Sequence, residues 1–428
     1  MTQAARALGG SWAGGLRYGA LGFPLAFVAL PLYVVLPNHY AVEFGVPLGV
    51  LGALLLGARL LDAVADPLIG RWVDGWFAAS MRRVLLAAAA ASVVLALGFR
   101  ALFFPAVREG SALLAWCAAT LALTYLAYSV ATVLHQAWGA RLGGDEGQRA
   151  RVVSWREGLS LLGVLVASAL PALAGLHAAT IVFAVSLALA LALLARAPHP
   201  PPRAGGSGGS QGSLTLPWAS PAFRRLLAIY LVNGIASAVP ATLVLFFVRD
   251  RLQASSLEPL FLASYFAAGA LSMPLWVRLV ARIGLARAWL AGMVLAVLAF
   301  AWAALLGTGD VAAYTAVCVA SGLALGADLA LPGALLAGVI QRAGHAARLE
   351  GAYFGWWNFA TKLNLALAAG VALPLLGAFG YTPGARDAQA LQALTLAYCL
   401  LPCALKLAAA ALLHRLWIKE EHRWTDAN

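Results

Sequence analysis

The sequence predicts an all-α membrane protein of twelve transmembrane helices in two six-helix halves, and three observations carry that prediction. Hydrophobic residues make up 62% of the 428 positions and charged residues only 11%, against about 25% charged in a soluble domain. So little polar surface makes the bilayer, not water, the solvent of the folded chain. A transmembrane helix with its turn takes roughly 30–36 residues, which leaves room for about twelve. The basic residues, finally, segregate by side. With both termini inside, 21 of the 29 lysines and arginines fall on the cytoplasmic side. Five (Arg100, Arg108, Arg249, Arg251 and Arg386) fall outside, and Arg59, Lys362 and Lys406 lie within spans. Miscounting one span would swap every later loop and erase this asymmetry.

The elements follow in order as apolar runs of about 20 residues bounded by charges and turn residues. In the first half they lie near 16–37, 46–73, 83–105, 112–140, 152–175 and 178–196. In the second they lie near 221–248, 257–281, 286–307, 311–340, 351–380 and 390–417. Residues 1–196 are thus expected to form one six-helix bundle and 220–428 another with a short cytoplasmic tail. Residues 197–219, which contain HPPPRAGGSGGSQGS, read as a flexible cytoplasmic linker, because Pro, Gly and Ser at that density do not pack. The Met1–Gly15 stretch has no apolar core ending in a cleavage site, so the first run is expected to remain as a span. The halves echo each other: Gly70–Asp74 with Arg82 and Arg83 after span 2 corresponds in place to Arg278, Arg282, Gly284 and Arg287 after span 8. Repeats of this sort underlie alternating access in transporters.

The net charge of +12 is spread over many short loops, which fits inside-positive topology and not a nucleic-acid partner. Cys117, Cys318, Cys399 and Cys403 lie in apolar runs without zinc or redox spacing and are expected to be buried thiols. No nucleophile–base set or metal cluster points to an enzyme, and no cofactor is expected.

The charges within spans are the informative residues. Arg59, Asp62 and Asp66 in ARLLDAVADPLIG share one helical stripe. A charge at mid-bilayer costs about 2.5–3.5 kcal/mol, so these groups must face the interior and find compensation. Two carboxylates one turn apart repel, and a proton or bound cation neutralises the pair; a static network with Arg59 and Lys362 is the structural alternative. Lys362 and Asn358 share a face of span 11, Asp328 precedes Pro332 in span 10, and His135 lies in span 4. Asp328 and His135 are each candidates for a substrate role or for packing. Lys406 in span 12 is expected to snorkel towards an interface.

ARLLDAVADPLIG resembles the helix-2 signature of the glycoside–pentoside–hexuronide:cation symporters, the melibiose permease group of the major facilitator superfamily. The resemblance extends, in order, over residues 16–40, 134–163, 275–292 and 350–383. It implies the major facilitator fold and transport of a small organic solute coupled to Na⁺ or H⁺, by a protein functional as a monomer among membrane lipids; the Ala-, Leu- and Arg-rich composition with three lysines points to a GC-rich bacterial genome and so to the inner membrane. The resemblance also implies that Asp62 and Asp66 bind the coupling cation (the metal site, if that ion is Na⁺), with Arg59 and Lys362 beside them. By the same resemblance Arg156 lines the substrate cavity, to which His135, Asn358, Trp357 and Asp328 are added as candidates. The sequence departs from the sugar carriers where they place acidic residues on helices 1 and 4, here Ala26 and Ala131. It departs again at His135, where they have a tryptophan, and at Gly338 or Gln341, where they have an aspartate. A sugar or glycoside is therefore the first expectation. A lysophospholipid or other amphipathic anion is the alternative, and a non-transporting receptor or scaffold, disfavoured by the short tail Lys419–Asn428, the third.

Overall fold

The computed structural model describes residues 11–201 and 214–419, all in helices or their connections. The centre of the expected linker, the first ten residues and the tail beyond Lys419 lie outside the described residues.

Ten helices among the described residues are long and apolar enough to cross a membrane. They are Trp12–Glu43 (α1), Met81–Phe103 (α3), Gly110–Arg141 (α4), Glu146–Leu194, Pro221–Arg251 (α7), Ser255–Ile283 (α8), Leu285–Ala303 (α9), Val311–Arg342 (α10), Glu350–Ala378 (α11) and Ala388–Ile418 (α12). Leu48–Ala79 (α2) is a further 32-residue helix. Glu146–Leu194 is broken at Gly175, whose φ of 81° only glycine adopts without strain. The break makes two segments, 146–174 (α5) and 176–194 (α6), where the sequence places two spans. Twelve long helical segments result.

The chain divides into two compact units. The first comprises Met1–Ala219 together with Ala337–Phe359; the second comprises Ser220–Leu336 and Ala360–Asn428. The sequence gives no sign that Ala337–Phe359, the end of α10 and the start of α11, would pack with the first unit.

Small residues set the closeness of helix contacts in the first unit. A Cβ on Gly22 would lie 2.4 Å from the Arg156 carbonyl oxygen, and one on Gly163 would lie 2.2 Å from that of Phe23. Backbones of α1 and α5 thus touch directly, the usual packing where no hydrophobic drive separates helix from lipid. Phe27 stacks on Phe183 in the core with centroids 5.9 Å apart, and the Phe99 ring tilts against Phe183 at 4.9 Å. In the second unit Phe247 stacks on Tyr398 at 4.3 Å, and the Tyr314 and Tyr398 hydroxyls bond each other at 2.7 Å. All four cysteines are buried free thiols.

Candidate functional site

The first unit holds the aspartate pair on α2. Asp62 is 3% exposed and Asp66 is fully buried. The burial follows from the i, i+4 spacing, which turns both carboxylates to the same inner face while Leu60, Leu61 and Val64 remain exposed. The Ser129 hydroxyl on α4 donates to Asp62 Oδ1 at 2.6 Å. Arg59 lies one turn earlier, its guanidinium carbon 4.2 Å above the Tyr33 ring of α1, so an aromatic face takes up part of its charge. Carboxylate and hydroxyl oxygens form a hard donor set suited to Na⁺ or a proton. No group of three or more His, Cys, Asp or Glu able to hold a metal occurs among the described residues.

A second buried cluster lies at the far end of α2. Asp74 Oδ1 accepts from Arg141 Nη2 at 2.7 Å and from the Gly351 amide at 2.8 Å, while Oδ2 accepts from the Ala352 amide at 2.8 Å. Arg141 also pairs with Glu350 at 3.0 Å and lies over the Phe77 ring at 4.4 Å. The carboxylate satisfies the orphan amides in the first turn of α11, where the helix dipole also favours negative charge. Close approach is secured by glycines: a Cβ on Gly70 would fall 2.1 Å from the Gly351 carbonyl oxygen, and one on Gly355 would fall 2.5 Å from that of Asp66. Asp66 is therefore walled by the start of α11.

Among the other candidates, Arg156 is buried and pairs with its neighbour Glu157 at 2.7 Å. Asn358 and Trp357 are buried on the stretch of α11 counted with the first unit. Lys362 follows on the stretch counted with the second unit and is half-buried. His135 Nε2 lies 2.8 Å from the Tyr18 carbonyl, and the Tyr18 hydroxyl donates back to the His135 carbonyl at 3.0 Å. One ring nitrogen is thereby committed to packing α1 on α4. Gln341 Oε1 accepts from Arg149 Nη1 at 2.7 Å, so a neutral amide occupies that neighbourhood where the sugar carriers have an aspartate.

Asp328 belongs to the second unit. Its Oδ1 accepts from Asn233 Nδ2 at 3.1 Å and Trp289 Nε1 at 3.0 Å; its Oδ2 accepts from Ser237 Oγ at 3.3 Å and pairs with Lys406 Nζ. The snorkelling expected of Lys406 is corrected here: the residue is 5% exposed and turned inward. A carboxylate on the facing helix makes pairing less costly than the reach to an interface. Sequence reading missed Ser129, Arg141 and Glu350, and noted Asp74 only as a loop repeat. Arg141 looks like an ordinary inside-positive loop residue and Glu350 like an ordinary loop acid, and a serine in a span carries no signal of its own.

The sequence model of the family described as MFS/sugar transport protein matches residues 15–420. Solved structures share the fold at low identity. A bacterial homologue of the iron transporter ferroportin, in an outward-facing state, is 17% identical, with TM-score 0.68 over 93% of this chain and 99% of the other. The human organic anion transporter MFSD10 (TETRAN) is 19% identical, with TM-score 0.66 over 96% and 100%. A point variant of the E. coli fucose:proton symporter FucP is 12% identical, with TM-score 0.66 over 94% and 97%.

Proposed function

The chain belongs to the MFS/sugar transport protein family of the major facilitator superfamily and is a membrane transporter, not an enzyme; on that premise we propose that it is a cation-coupled symporter of a small organic solute. The observation that carries the reading is the buried pair Asp62 and Asp66 with the Ser129 hydroxyl on Asp62. Two carboxylates in the bilayer cost about 5–7 kcal/mol on the insertion scale. A transport protein gains from such a site because binding Na⁺ or H⁺ relieves the repulsion, which makes the filled and empty states differ in energy. Each positive charge moving inward with the membrane potential gains about 2.3 kcal/mol per 100 mV. The chemistry here is that of the glycoside–pentoside–hexuronide:cation symporters that the α2 motif resembles, and rocking of the two halves about a midplane site supplies the transport step.

Sugar or glycoside is the substrate class we assign, on the family description and on likeness to a fucose:proton symporter. Ala26 and Ala131 favour a second reading, an amphipathic anion such as a lysophospholipid, and likeness to an organic anion transporter supports it. Each sugar hydroxyl buried without a partner costs roughly 1–3 kcal/mol, and an alanine offers no acceptor. Uptake of labelled glycosides, hexuronates and lysophospholipids into proteoliposomes, with imposed Na⁺ or H⁺ gradients, tests both parts. Asp62→Asn and Asp66→Asn should each abolish the response to the driving cation while the protein still inserts. Wild-type cation dependence in either variant refutes the coupling assignment.

A further inference from the structure

The second unit holds a partly open cavity of about 170 Å³ that none of the aspartate-pair chemistry uses. α7, α8, α9, α10 and α12 line it, with Val244, Phe261, Phe266, Phe300 and Leu325 among the apolar walls. Asp328, Lys406 and Ser237 also face it. The Asp328 carboxylate accepts from Asn233, Trp289 and Lys406, while the single Ser237 proton faces both the Asn233 carbonyl at 3.1 Å and Asp328 Oδ2 at 3.3 Å. Lys406 is different. Its ammonium carries three N–H donors, and among the described residues two acceptors engage it, Asp328 Oδ2 and Ser237 Oγ at 2.7 Å. One N–H is left for an occupant.

We propose that this cavity is a binding site for a small uncharged molecule of ring size, with one hydrogen-bond acceptor that takes the remaining Lys406 proton. Size comes from volume: an engineered apolar cavity of about 150 Å³ takes up benzene. Charge comes from the balance of the walls. Asp328 and Lys406 already neutralise each other, so a carboxylate or ammonium brought in would be a buried charge without a counter-ion, the costly case. The acceptor is called for because Lys406 brings a donor to the cavity wall. An apolar ring with a ketone, aldehyde or ether oxygen meets all three conditions. The site lies wholly within the second unit and stands whether or not Asp62 and Asp66 bind a cation.

The test uses the purified full-length protein in detergent and follows its Tm against four ring probes of similar size: acetophenone, ethylbenzene, benzoate and phenethylammonium. Ala296→Phe and Ser321→Phe fill the cavity from α9 and α10 and serve as blanks for partition into the micelle. Acetophenone should bind saturably and about tenfold more tightly than ethylbenzene, the factor expected for one hydrogen bond to a charged donor less the desolvation of its carbonyl. Benzoate and phenethylammonium should give no saturable shift. In the double variant Asp328→Asn/Lys406→Met, which removes both charges together, the ring should still bind and the preference for acetophenone should vanish. The wild-type panel decides even where a variant fails to fold. Equal affinity for acetophenone and ethylbenzene, binding of either ion as tight as acetophenone, or no saturable shift from any ring overturns the proposal. Binding unchanged in both filled variants overturns it too, since the ring then lies elsewhere.

Discussion

Replacing Asp74 by Asn should loosen the first turn of α11 more than any other part of the first unit. The aspartate accepts the Gly351 and Ala352 amides at 2.8 Å each and Arg141 at 2.7 Å, all in a buried setting. Hydrogen bonds to a charged group contribute about 1.5–3 kcal/mol apiece. Asparagine keeps one acceptor oxygen and turns its NH₂ towards a donor, so one or two of these contacts are lost. Arg141 retains Glu350 at 3.0 Å, which spares it the full cost of an unpaired buried charge. A net loss of about 3 kcal/mol is expected, and that corresponds to roughly a hundredfold more frequent opening. Hydrogen exchange by mass spectrometry on the protein in nanodiscs reads this directly. Peptides covering 350–356 should lose about two orders of magnitude in protection, while those from the middle of α4 stay unchanged. The functional consequence follows from the path of the chain, since α11 is divided between the two compact units at Phe359 and Ala360. The Asp74 contact anchors the part of that helix counted with the first unit, so Asp74→Asn should also change the transport rate. Unchanged protection over 350–356 would refute the reasoning, because the carboxylate would then not be what holds that turn.

Gly70→Val should disrupt the same contact sterically, since its first side-chain atom would fall 2.1 Å from the Gly351 backbone. A cost of about 1–3 kcal/mol or more is expected, seen as a lower Tm, whereas Gly57→Ala, with open space around it, should leave Tm within a degree or two. The topology is checked by single introduced cysteines: labels on 197–219 should react only from the cytoplasmic side and labels on 107–111 only from outside, and the reverse pattern at either place sinks the orientation. His345, between α10 and α11, bonds the Tyr353 hydroxyl at 2.9 Å, and burial followed by the Arg348 charge holds its imidazole below the ordinary 6.5. A depressed folded pKa means stability that is present above 6.5 and lost as pH falls through the folded value. Protection of the 343–349 turn, taken relative to the intrinsic exchange rate at each pH, should therefore fall on acidification below about pH 6.5, and His345→Gln should flatten that dependence.

By itself the sequence determined the class, an all-α membrane protein of long apolar helices, and the common face of Asp62 and Asp66 on α2. These depend on local quantities. Apolar run length is set by bilayer thickness, and i, i+4 spacing puts Asp62 and Asp66 on one face whatever surrounds them. Even the separation of α5 from α6 was legible, as two apolar runs near 152–175 and 178–196. Only the tertiary structure decided which partner each charge takes. Lys406 is the clearest case: nothing in its own helix distinguishes a lysine that snorkels from one that pairs with Asp328, because the carboxylate lies 78 positions away on α10. Arg141, Asp74 and Glu350 read as three loop charges until α11 brings its first turn against α2. The packing of Ala337–Phe359 with the first unit was hidden for the same reason. A buried charge is settled by the nearest opposite charge in space, and distance along the chain carries no information about that neighbour.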